Sequence, residues 1–164
     1  MDYGLWTMDF HPELVYLRPS YHMAAKIFKV IWFVSLLATM GVLVYSYASW
    51  PEAVYLNDAN PPLSIGKGIL FYSVIGLLAI FNMFAFVFPR LKYSNTFMAW
   101  YFGMLVCLHF FLISGITFIT TFNSMEDYNY ANLGPLLYGS FGLLAVWLLA
   151  GPIVAIMAKW QSPS

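Results

Sequence analysis

His109 is the residue whose position most needs a chemical reason. It stands near the centre of Phe97–Phe122, an unbroken apolar run in which only Tyr101 and Cys107 are otherwise ionisable. Ionisable groups at membrane depth are costly and often functional. Three kinds of chemistry suit an imidazole there. The first is structural: a neutral ring hydrogen-bonded to Ser, Thr, Asn or backbone on an adjacent helix, with Asn82 and Thr39 as candidate partners. The second is cofactor binding, as an axial ligand of haem b. His22 precedes the first apolar run while His109 lies some twelve residues into the third, an axial offset of roughly 18 Å, so a second ligand would come from another subunit. The third is proton or quinone handling, but no Asp, Glu, Lys or Arg stands in the middle of an apolar run to extend a relay. The structural role leads and no cofactor is expected; haem b or quinone at His109 are the alternatives.

Elsewhere the constellations that carry catalysis are missing. There is no HExxH, GxSxG, P-loop or dinucleotide fingerprint, and no nucleophile–base–orienter trio, so no catalytic residue is assigned. His11 and His22 have no second ligand at i+3 or i+4, and Cys107 is alone, which leaves no metal site and no intrachain disulfide. The polar side chains best placed for recognition are Glu52, Asp58 and Lys67, in the connection 50–68. Loops on a rigid scaffold can place polar groups where spans cannot.

The elements that must position these residues are membrane spans. Of 164 residues 62% are hydrophobic and 9% charged, against about 25% charged in soluble domains. Apolar runs at about 27–49, 69–88, 97–122 and 135–158 are each long enough for a ~30 Å hydrocarbon core. The expected fold is all-α, an integral membrane four-helix bundle over 27–160. An aromatic interfacial N-terminal arm (1–26) holds Tyr3, Trp6, Phe10, Tyr16 and Tyr21 among acidic residues, and 161–164 form a short tail. The arm lacks the basic start and cleavage pattern of a secretory signal, so the first span is expected to be retained.

Within the spans, Ser35, Thr39 and Ser46 can return their hydroxyls to the backbone four residues earlier. Trp50 reads as a headgroup-level ring closing the first span before Pro51. Asn82 needs a partner on another helix. Ser114, Gly115, Gly139, Gly142, Gly151 and Ala155 offer small faces for helix–helix contact, and Pro152 would kink the last span. The link between the second and third spans permits only a tight antiparallel return. In the connection 50–68, Ala53 to Leu56 can form a short extended piece, and Asn60 before Pro61–Pro62 favours a turn.

Arg18, Lys26, Lys29, Arg90, Lys92 and Lys159 fall on one side and only Lys67 on the other, six against one. That asymmetry places both termini in the cytoplasm. Seven basic and seven acidic residues balance, which leaves no electrostatic footprint for nucleic acid.

The run Trp50-Pro51-Glu52-Ala53-Val54, followed by a turn, Gly66-Lys67 and Phe71-Tyr72, resembles the connection in small bacterial membrane proteins related to the SdpI-type immunity proteins. There a helix leads into a Pro-containing loop, a Gly/Pro turn and a Lys before the next helix. The resemblance covers about a quarter of the chain, and Leu56 and Asn57 stand where that family's His would fall. It implies a bacterial inner-membrane location.

The 15 Phe, 12 Tyr and 6 Trp exceed what anchoring at two interfaces requires. With the small-residue faces, they suggest contacts to lipid and to other membrane subunits. The expected function is a non-catalytic integral membrane subunit, or an accessory or assembly factor of a larger inner-membrane complex. The alternatives are a sensor or immunity-like protein acting through 50–68, or an electron-transfer subunit using His109.

Overall fold

Backbone polar groups in lipid must be satisfied within their own segment, and four long apolar runs meet that demand as helices. The computed structural model describes residues 18–91, 95–124 and 130–160. Helix α1 is Arg18–Ser49, α2 Lys67–Val87, α3 Asn95–Phe122 and α4 Gly134–Trp160. All four are long and apolar enough to cross a membrane. Most of the expected arm, the Glu126–Asp127 pair and the tail 161–164 lie outside the described residues, although α1 begins inside the arm, at Arg18. A 3-10 turn, Phe88–Leu91, follows α2, where Pro89 cannot continue the hydrogen-bond ladder.

The bundle is built around α3. Over its most apolar stretch 56% of α3 is buried, against 17% for α1, 17% for α2 and 6% for α4. α1 runs along one side of α3 and α4 along another, while α2 touches both α3 and α1. Leu43 of α1, Leu78 and Ala85 of α2, and Phe102, Leu105, Leu108 and Ile116 of α3 form the core. In a bilayer lipid tails are as apolar as leucine, so for helices of this kind shape and hydrogen bonding, rather than the removal of apolar surface from water, would decide the pairing.

The α3–α4 contact shows how. Trp100 Nε1–H donates to the Trp147 carbonyl (2.9 Å), and Trp147 Nε1–H donates back to the Trp100 carbonyl (2.8 Å). Each indole lies where the other helix has a glycine: a methyl on Gly103 would overlap Trp147, and one on Gly151 would overlap Trp100. The two tryptophans thus reach across to each other's backbone only because both helices are bare at these points.

Between α1 and α2 a hairpin folds over the end of α3. Strands β1 (Ala53–Tyr55) and β2 (Ser64–Gly66) pair antiparallel, with Val54 opposite Ile65. Trp50 differs from the headgroup-level ring expected of it. It is buried, and its Nε1–H donates to Thr120 Oγ1 of α3 (2.9 Å), because the hairpin turns the chain inward immediately after α1. Asn123, just past α3, acts as a third strand: its Oδ1 accepts from Tyr55 N–H (2.7 Å) and its Nδ2 donates to the Tyr55 carbonyl (2.9 Å).

Gly103→Ala and Gly151→Ala should each destabilise the protein by about 1–3 kcal/mol through overpacking against an indole held at both ends. In detergent their thermal midpoints should fall well below the parent's. Gly139→Ala and Gly142→Ala, whose added methyls meet nothing within 4 Å, should not lower it.

Candidate functional site

His109 is fully buried at the junction of α1, α2 and α3, within a connected polar cluster. Its members are polar groups on the mutually facing sides of three otherwise apolar helices. Trp32 and Ser35 come from α1, one turn apart, and Asn82 from α2. The orientation of the cluster follows from groups with only one possible role. Trp32 Nε1–H can only donate, so the Asn82 atom 2.6 Å from it is the carbonyl Oδ1. The Leu78 carbonyl can only accept, so the atom 2.8 Å from it is Nδ2. The same Nδ2 lies 3.2 Å from His109 Nε2, which must therefore be the acceptor.

The proton on a neutral ring is then on Nδ1, which donates to Ser35 Oγ (2.8 Å). Ser35 Oγ–H in turn donates to the Trp32 carbonyl (2.8 Å). The bonds close on the residue where they began: Trp32 side chain to Asn82, Asn82 to His109, His109 to Ser35, and Ser35 to the Trp32 backbone. Every donor points the same way around the circuit. Such directional chains polarise one another in a medium of low dielectric. Thr39 is buried beside the circuit and bonds the Ser35 carbonyl (2.8 Å) instead of the imidazole. Among the described residues no buried side-chain nitrogen or oxygen lacks a partner.

This arrangement holds a neutral imidazole well and offers little else. Both ring nitrogens are engaged inside the protein, so axial ligation of a haem would require giving up the Ser35 or the Asn82 bond. An imidazolium would need two acceptors. Turning the Asn82 amide to supply the second would set Nδ2 against the Trp32 N–H, donor against donor.

Glu52 and Lys67 meet at the hairpin base, 2.7 Å apart, and Lys67 Nζ also lies over the Tyr47 ring, 5.6 Å from its centre. The Glu52 side chain is 88% exposed, so water screens the pair and it adds little to stability. Asp58 is exposed at the far end of the hairpin and joins neither. Of the small residues, Ser114 is buried and bonds its own helix at Phe110, a methyl added at Gly115 would meet Leu137 of α4 at an ordinary contact distance, and Gly151 seats Trp100. Gly139 and Gly142 face away from the rest of the chain, and the Ala155 side chain lies outside those described.

Sequence reasoning did not single out Trp32, Ser35 as an imidazole partner, or the Trp100–Trp147 exchange. The signals were present: Trp32, Ser35 and Thr39 share one face of α1, and each exchanging tryptophan stands three or four residues before a glycine.

No protein-family model matches the chain, and neither a curated protein nor a solved structure is detectably similar to it.

Asn82→Leu strands both the Trp32 N–H and His109 Nε2, so it should cost about 1–3 kcal/mol in an unfolding titration. A double-mutant cycle with Trp32→Phe should return a coupling of at least about 0.5 kcal/mol. Additive effects would show that the bond between the two side chains contributes nothing.

Proposed function

We propose that this chain is a non-catalytic subunit, or an accessory or assembly factor, of a larger complex in a bacterial cytoplasmic membrane, with both termini and the Arg90 loop in the cytoplasm. The observation that supports this best is the state of α4. It is held to the bundle along one side by the α3 contact, and only 6% of its apolar stretch is buried. On the free side a Cβ added at Gly139 or Gly142 would meet no neighbouring side chain or element within 4 Å among the described residues. Exposed Val146, Leu149 and Ile153 extend that surface. Glycine in an apolar helix lets a second backbone approach closely, and among the described residues no other helix does so here.

The polar core agrees with a scaffold. A scaffold needs helices fixed in one arrangement and has no use for a reactive group, and the His109 circuit uses up the imidazole in fixing three of them. The orientation rests on the six basic residues against one described by the sequence.

Purification in mild detergent should return the chain with a stoichiometric membrane partner. Gly142→Trp should abolish that association without shifting the thermal midpoint of the isolated chain. A chain that runs alone as a monomer under these conditions, or a partner retained by Gly142→Trp, would refute the reading. Cysteines introduced at Glu52 and Arg90 should react with an impermeant maleimide from opposite sides of the membrane. Labelling from one side would refute the topology.

A further inference from the structure

A second polar feature lies away from His109, at the hairpin end of the bundle. Tyr45 and Ser49 at the end of α1 and Thr117, Thr120, Thr121 and Ser124 at the end of α3 line an open cavity of about 350 Å³. That volume is at the lower end of the ~300–1,000 Å³ range of small-molecule sites. Leu133, ahead of α4, supplies an apolar wall.

The hydroxyls are not equally committed. Ser49, Thr120 and Ser124 donate to the carbonyls of Ser46, Ile116 and Thr121, and Thr120 also accepts from Trp50. Tyr45, Thr117 and Thr121 make no side-chain hydrogen bond among the described residues. Thr117 and Thr121 stand one turn apart on the same face of α3, each with a free donor and free lone pairs. Tyr45 and Ser49 have the same spacing on α1.

Among the described residues no charged side chain lines the cavity. It opens where α1 and α3 both end, so the negative ends of two helix dipoles lie beside it. A phosphate or carboxylate would find no cation there and would meet the unfavourable end of both helices. A neutral ligand with several hydroxyls fits instead, because each of its groups can donate to an oxygen and accept from a threonine.

We propose that this cavity binds a neutral sugar, presented as the glycosyl headgroup of a membrane lipid or as a free monosaccharide, with Thr117 and Thr121 making the direct contacts. The two ladders of hydroxyls on facing helices match the adjacent hydroxyls of a pyranose ring. The cavity's place at the helix ends matches the depth of a headgroup.

The test uses the full chain in phosphatidylcholine nanodiscs with its threonine methyls labelled with carbon-13. Monoglucosyl diacylglycerol is titrated in the disc, glucose in the buffer, and phosphatidylglycerol serves as the anionic comparator. Thr117, Thr120 and Thr121 should shift while Thr39, in the core, does not. A response to the glycolipid alone assigns the lipid source, and a response to glucose assigns the free sugar. Phosphatidylglycerol should leave all of these signals in place. In the Thr117→Val/Thr121→Val variant, read at Thr120, affinity should fall about tenfold, the scale of two modest hydrogen bonds, with the thermal midpoint kept. If the double variant does not fold, Thr121→Val alone should weaken binding about threefold. No shift with either sugar, an equal shift with phosphatidylglycerol, or unchanged affinity in the valine variants would overturn the proposal.

Discussion

A polar side chain buried out of reach of water must have its hydrogen bonds made by the protein or not at all. His109 places that constraint at the centre of this molecule. Its ring has two nitrogens to satisfy, and they are satisfied from different helices: Ser35 on α1 and Asn82 on α2. Trp32 completes the circuit by bonding Asn82 with its side chain and receiving Ser35 at its backbone. The positions of three helices thus depend on one another through groups that cannot be re-paired singly. Sliding one helix by a turn would leave several of these groups unpaired at once, which gives the bundle a register that apolar packing alone would not impose.

Around that centre α3 holds each neighbour differently. α1 is joined by the circuit and by the apolar contacts of Leu43 and Trp32. α3 reaches α2 with the Tyr101 hydroxyl, which donates to the Phe81 carbonyl (2.5 Å). α4 is joined through two tryptophans that need the glycines opposite them. At one end the hairpin is tied down by Trp50 on Thr120 and by Asn123 on Tyr55. In each case a side-chain donor satisfies a group on another element, the form of helix pairing expected where burial supplies little drive.

The helices were legible from the sequence because membrane thickness sets a minimum length and the runs meet it. The expected spans 27–49, 97–122 and 135–158 fall inside longer helices, and 69–88 runs one residue past the end of its helix. The need of Asn82 for a partner on another helix was legible from the cost of a carboxamide in lipid, and its place beside His109 followed from the same cost. What could not be read was facing. The helices are apolar on nearly all sides, so periodicity does not say which stripe turns inward. Ser35 rather than Thr39 therefore meets the imidazole, and Gly139 and Gly142 face outward while Gly151 faces in. The inward turn of Trp50 was hidden for another reason: it depends on a hairpin whose third edge is supplied by Asn123, 68 residues away. Local residue chemistry carries no trace of so distant a partner.

The account stands on the direction of the hydrogen bonds around His109. Nitrogen-15 spectroscopy of the labelled histidine ring, in bilayers near neutral pH, reads that direction without a mutation. The circuit predicts a neutral ring with its proton on Nδ1 and an unprotonated, accepting Nε2. A ring protonated on Nε2, or on both nitrogens, would contradict it.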